Sequence, residues 1–276
     1  MLLSDILKEI TIKRGQASNN TSVKLLDELI FYYKKELSSL MPSDNWDTTP
    51  MPKAMQDFLR SKAIQSSDNL IMVLYEGETI TSHILINTDP DIVINMCVVG
   101  LIQTVPASGK WSLKTIYDIK APKISFSEVS TEYRGKGYGG KIYDMFMNHY
   151  GIVQSDNTLY TGAYNMWTNY IPRIATRICG LIGSININNR NVVVVPLDEQ
   201  DLADKKFLVN AVRNIIAIKG SIPPALSKNL SLIEGLSLRS GTLQLISITK
   251  DLKSKVFAMD ADDAKSNQFL DFDTFI

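Results

Sequence analysis

Residues 133–143 read YRGKGYGGKIY, a run of glycines and cations spaced to hold phosphate in three different ways. Gly135, Gly137 and Gly140 give G-x-G-x-x-G, the dinucleotide turn, while Gly135, Gly140 and Lys141 give G-x-x-x-x-G-K, most of a P-loop. Arg134 with Gly137 and Gly139 gives R-x-x-G-x-G, a pyrophosphate cradle. All three rest on the same chemistry. Glycines let the backbone come close and turn successive N–H groups toward an anion, and a following helix adds the positive end of its dipole.

The neighbouring residues weigh these patterns differently. A P-loop needs a Ser or Thr hydroxyl for Mg²⁺ after its lysine, and here that place is Ile142. A kinase glycine loop needs later H-R-D and D-F-G motifs, which the chain lacks. The dinucleotide turn gains from Asp156, which ends the next strand where a ribose-binding acid would stand. It loses because Ser130, Thr131, Glu132, Tyr133 and Arg134 separate the strand from the first glycine, and because the unit comes midway along the chain. The pyrophosphate cradle accommodates both features, and a glycine turn with no ligand stands beside it.

These residues need a strand before them and a helix after. Lys123 to Val129 alternates apolar and polar residues as a strand, and Ile142, Met145, Phe146 and His149 recur at helical spacing. Upstream, Val23, Leu26, Ile30, Tyr33 and Leu37 predict an amphipathic helix, and Lys53 to Ile64 a second short one. Leu70 to Tyr75, Ile80 to Ile86 and Ile92 to Thr104 predict strands joined by short turns, an antiparallel meander. Trp111 to Ile119 reads as a further strand or a loop insertion. Downstream come a short strand at Gly151 to Gln154, an aromatic-rich helical stretch from Tyr160 to Tyr170 that Pro172 should kink or end, and a hairpin of Ile185 to Ile187 with Val192 to Val195. Beyond Pro196, Leu202 to Ile218 is again amphipathic, Leu226 to Leu236 is helical in pattern, and Leu243 to Ile248 and Val256 to Met259 resemble strands.

At Val129-Ser-Thr-Glu132-Tyr133-Arg134-Gly135-Lys136-Gly137-Tyr138-Gly139 the chain resembles the GNAT superfamily of N-acyltransferases, whose central motif has the form V-x-P-E-Y-R-G-K-G-x-G. It departs at the proline, here Thr131. The close match covers about 123–150 and the order of elements about 23–195. The resemblance implies a mixed α/β fold of GNAT type: a central mixed sheet flanked by helices in residues 1–199, followed by a C-terminal extension, 200–276, of unknown role. It also implies acetyl-CoA as acyl donor, with the pantetheine arm along Val129 and Thr131 and the phosphates on Arg134, Gly135, Lys136, Gly137, Tyr138, Gly139, Gly140 and Lys141.

The same resemblance asks for a carboxylate to take a proton from an attacking primary amine, of a small molecule or a protein. Glu128, on the motif strand, is the first candidate, beside the plainer reading of a salt-bridged strand residue. Asp156 is the second, although an N-cap of the next helix is its simpler use. His83 could act as a base, but a lone strand histidine is more often structural. The leaving thiolate would take a proton from a helix tyrosine. Trp167 occupies the aligned place and its indole cannot serve, so Tyr164 and Tyr170 are the alternatives, with a core face as their other reading.

Composition sets the outer bounds. With 45% hydrophobic and 21% charged residues the chain can bury a core, and 29 basic against 29 acidic residues give no general pull toward nucleic acid or anionic membranes. Two cysteines far apart and two histidines argue against a metal cluster. The charges in MLLSDILKEITIKRG interrupt any signal-peptide stretch, which predicts a cytoplasmic protein. The final DADDAKSNQFLDFDTFI suits a frayed end or a peptide that docks on a protein partner.

Overall fold

The computed structural model describes residues 11–13, 21–42, 45–105, 113–156, 158–185, 190–205, 208 and 212–233. They form a mixed α/β structure that divides into two compact units. One takes the described residues of Gly15–Pro106 and Pro122–Gly151, and the other those of Met1–Arg14, Ala107–Ala121 and Ile152–Ile276. Elements are numbered along the chain.

The unit that carries the glycine segment contains helices α1 (Ser22–Tyr32), α2 (Lys34–Leu37) and α3 (Lys53–Ser61), strands β2 (Ala63–Ser67), β3 (Leu70–Glu76), β4 (Thr81–Asn87), β5 (Val98–Val105) and β6 (Lys123–Val129), and helix α5 (Tyr138–Tyr150). The strands pair in chain order, each antiparallel to the next, as the short turns predict. Leu25, Leu26 and Leu29 of α1 and Met55 and Leu59 of α3 pack with Ile71, Val73, Ile84, Ile86, Val98 and Leu101. Helix α5 buries Ile142, Met145 and Phe146. Strand β3 is buried at four consecutive positions, Leu70 to Val73. Covering a sheet on both sides is what turns an alternating pattern into a continuous apolar run.

Local differences have local causes. The first helix breaks at Tyr33, whose φ of −117° is not helical, so Leu37 belongs to a separate turn. The buried stripe is therefore Ser22, Leu25, Leu26 and Leu29, and Val23 is 41% exposed. Helix α3 ends at Ser61 because β2 begins at Ala63; that strand, AIQSS, carries too few apolar residues to be read as one. Ile94–Met96 is a 3₁₀ turn that precedes β5.

The other unit contains β1 (Thr11–Lys13), α4 (Leu113–Tyr117), β7 (Ile152–Gln154), β8 (Thr158–Tyr160), α6 (Thr161–Asn165), α7 (Ile171–Ile174), β9 (Arg177–Ile185), β10 (Arg190–Pro196), α8 (Glu199–Ala203), β11 (Val212–Ile218) and α9 (Pro224–Ile233). Strand β11 lies between β9 and β7, antiparallel to both, β10 pairs with β9 as the hairpin predicts, and β1 runs parallel to β8. The stretch 202–218 is thus a short helix and a strand: β-branched residues in VRNIIAI, paired on both sides, override the helical spacing. The 111–119 stretch holds a helix, α4, with Leu113 and Tyr117 on one buried face. Pro172 does not end its helix. It stands in the first turn of α7, where no N–H is needed, after a π-helical turn, Met166–Tyr170. The expected strands at 243–259 and the acidic tail lie outside the described residues.

His83 shows how tightly the first unit is closed. Its Nδ1 lies 3.2 Å from the Ile102 carbonyl, so that nitrogen donates, and its Nε2 accepts from the Tyr150 hydroxyl at 2.6 Å. The ring is fully buried and edge-on to Phe146. Burial lowers its pKa from 6.5 to about 4. Between those values the unfolded chain binds a proton that the folded chain refuses, so stability falls as pH drops from 6.5 toward 4. Denaturant melts across that window should show this loss in the wild type and a shallower one in His83→Gln. Tyr150→Phe should cost about 1 kcal/mol at neutral pH.

Candidate functional site

The ladder between β5 and β6 sets the first part of the site. Glu128 stands opposite Leu101 and Val129 opposite Gly100, and a register shift between Gln103 and Thr104 interrupts the alternation near Ser125. A Cβ on Gly100 would lie 2.5 Å from the Glu128 carbonyl oxygen. Glycine is what lets β6 approach here. Cross-strand partners share a face, so Glu128 is on the side of Leu101, which packs with α1. Its neighbour Ser127 faces the other way and accepts a hydrogen bond from Tyr143 of α5 at 2.8 Å.

The strand leaves through Ser130, whose N–H continues the ladder to the Val99 carbonyl at 2.9 Å, and a 3₁₀ turn, Thr131–Tyr133. Three successive side chains then turn back into the protein. Glu132 Oε2 accepts from the Ser22 N–H at 2.9 Å, capping α1 where Thr21 supplies no side-chain cap. The Tyr133 hydroxyl donates to the Met96 carbonyl at 2.5 Å. Arg134 donates from Nε to the Val129 carbonyl at 2.9 Å and from Nη2 to Glu128 Oε1 at 3.0 Å.

Gly135 and Gly137 follow with φ of +73° and +81°, and no atom lies within 4 Å of a Cβ built on either. Backbone conformation, not crowding, requires glycine there. Gly135, Lys136 and Gly137 form an exposed apex. The N–H groups of Gly140 and Lys141 both reach the Gly137 carbonyl, at 3.1 and 3.3 Å, which closes the first turn of α5. Those of Tyr138 and Gly139 precede any helical acceptor and are directed out of the helix end, where a 13-residue helix favours an anion. Lys141 Nζ lies 5.0 Å from the centre of the Tyr138 ring, which holds that cation beside the apex.

The electrostatics single out a group that sequence reasoning missed. Glu28, on α1, has a buried Oε2 with no hydrogen-bond partner. Its pKa is raised, first by burial and then by the negative charge of Glu128. Ser130 Oγ, fully buried, also has no hydrogen-bond partner. Glu28 carried no motif, because it stands beside the leucine stripe of α1 and reads as a flank residue. Gly100 did carry a signal: an isolated glycine within an apolar strand marks a close approach.

Of the sequence candidates, Glu128, Val129, Thr131 and Arg134 to Lys141 come together around the end of β6 and the start of α5. Asp156, Tyr164 and Tyr170 belong to the other unit. Asp156 does not stand at the N-cap position of the next helix, since β8 intervenes before α6 begins at Thr161. Tyr164 has its pKa raised by burial and by Asp204, which keeps its phenol protonated. Trp167 is fully buried, as a core residue. His83, sealed in the core, has no open nitrogen for a base to use. Among the described residues no group of three or more His, Cys, Asp or Glu could hold a metal, and no helix is long and apolar enough to cross a membrane.

Comparison with protein-family models, with curated proteins and with solved structures gives no match.

Two substitutions check this geometry. Gly137→Ala should cost about 1–2 kcal/mol by forcing a side chain into the left-handed region. Glu132→Ala should cost about 1 kcal/mol by uncapping α1. Thermal or urea melts read both, and amide exchange in the Glu132 variant should quicken in the first turn of α1.

Proposed function

We propose that the protein is an acyl-CoA-dependent N-acyltransferase that moves an acetyl group from acetyl-CoA to a primary amine. The observation that carries this reading is the connection from β6 to α5. A strand end, an inward-turned Glu-Tyr-Arg, two left-handed glycines and the outward N–H groups of Tyr138 and Gly139 together present an open cradle for a pyrophosphate. An anion there meets the exposed side chain of Lys136 and the nearby Lys141. Arg134 acts differently from a phosphate ligand in this structure: its guanidinium is bound to β6, and it holds the loop in shape. The Val129 carbonyl accepts from Arg134, and a carbonyl oxygen has a second lone pair that a pantetheine amide would use.

Acetyl-CoA, when bound, supplies the activated thioester. The chain's own residues do the rest: the loop fixes the phosphates, β6 orients the arm, and a carboxylate beside it receives the amine's proton. A second reading, a GNAT-like module without catalysis, is favoured by Trp167, buried where the family's proton-donating tyrosine would stand.

Isothermal titration with acetyl-CoA tests the cofactor. We expect binding in the micromolar range, abolished by Gly137→Glu, which strains the loop and sets a negative charge in the cradle. No binding at tens of micromolar by a folded wild type sinks the reading. Binding without CoA release over a panel of amines favours the non-catalytic module.

A further inference from the structure

Glu28 of α1 and Glu128 of β6 are carboxylates of one unit, and their bonding differs. Glu128 is 3% exposed at its side chain and bound by Arg134. Its negative charge is thereby matched, and one of its oxygens is engaged. Glu28 Oε2 is shielded from solvent and accepts no hydrogen bond.

The placement follows from the sheet. Glu128 is on the α1 face of β6, because its partner Leu101 packs with the α1 leucines. Ser130 continues the same ladder two residues on, so alternation sets it on that face as well. The α1 side of the strand end thus gathers an ion-paired carboxylate, a fully buried serine hydroxyl with no partner and a carboxylate oxygen with no partner. Neither the 3₁₀ turn Ile94–Met96 nor β5, both packed against α1, carries a charged side chain. Lys34, Lys35 and Glu36 are the charged residues of α2, and Glu132 binds the first turn of α1. Glu128, with its partner Arg134, is the charge that acts on Glu28.

We propose that Glu28 is the proton acceptor for the attacking amine, with Ser130 Oγ as a second acceptor for the same ammonium group. The assignment rests on the acyltransfer reading above. A primary ammonium brings three N–H donors and a positive charge, which two unpartnered oxygens and a nearby carboxylate suit. One N–H proton passes to Glu28 Oε2 and leaves the nitrogen a lone pair. That lone pair forms the C–N bond to the thioester carbonyl carbon, the C–S bond breaks, and its electrons leave with the CoA sulfur. The nitrogen's second surplus proton goes to the thiolate, and Glu28 returns its own to water. Glu28 Oε2, which no hydrogen bond engages, is open to take that proton, in accord with the raised pKa of its carboxyl.

The test compares wild type with Glu28→Gln, which keeps the shape and removes the basic oxygen. Acetyl-CoA binding is read by titration, and CoA release is followed across pH with ethylamine, spermidine or a lysine peptide, and with hydroxylamine. Hydroxylamine is already unprotonated at neutral pH and needs no base. We expect the variant to bind acetyl-CoA as the wild type does, to release CoA about 100-fold or more slowly with a protonated amine, and to lose far less with hydroxylamine. It should also melt higher at neutral pH, because the raised pKa of Glu28 means that its ionised form opposes folding. That gain should shrink as pH falls toward 4.5, its ordinary value. A variant as fast as wild type with the protonated amines overturns the role of Glu28 and leaves the acyltransferase reading standing. So does equal loss with both kinds of nucleophile. A wild type that binds acetyl-CoA yet releases no CoA with any of these amines overturns the role too. A wild type that fails to bind acetyl-CoA sinks both readings.

Discussion

The clamp of Arg134 on the end of β6 is the interaction on which the site depends. One guanidinium engages a backbone carbonyl five residues back and a buried carboxylate six residues back, so the chain between them must close into a compact turn. Releasing it would take from the buried Glu128 carboxylate the charge that Arg134 supplies, which is destabilising, and less so here than for a fully enclosed pair because Arg134 is partly exposed. Lysine could supply the charge but not the two-pronged geometry. With the turn fixed, Gly135 and Gly137 carry the chain from it into the first turn of α5.

Much of this was legible in short-range signals. The strand 123–129 was read from alternation with its observed limits, and the helix after the glycines from three-to-four spacing, because both patterns are set within a few residues. The meander was legible because its turns are short. Register across a break was not legible. Counting Val23, Leu26, Ile30, Tyr33 and Leu37 as one stripe assumes a helix that does not stop at Tyr33, and the true stripe is turned from it. The 202–218 segment misleads for the opposite reason: only its neighbours β9 and β7 decide that its second half is a strand.

The candidate site divides along the same line. Residues of the motif could be named because glycine, arginine and glutamate stand at fixed offsets in one segment. Glu28 is 100 positions from Glu128, and nothing in the sequence between them announces that the fold will bring one within electrostatic reach of the other. Gly100 was visible as a glycine within an apolar strand, yet what it makes room for, the Glu128 carbonyl, belongs to another strand. Arg134 was legible as a cation beside a glycine turn and proves to be bonded to protein oxygens.

Glu132, Tyr133 and Arg134 share a property with a bearing on how such chains diverge. Each of the three spends its side chain within the unit: on the first turn of α1, on the loop before β5 and on the end of β6. The Glu-Tyr-Arg triplet is therefore a brace between distant parts of the chain, whatever the neighbouring glycines hold. Losing any of the three loosens that brace, with or without a ligand at the glycines. Retention of those three letters in a lineage therefore speaks for the scaffold and is silent about what the neighbouring glycines hold.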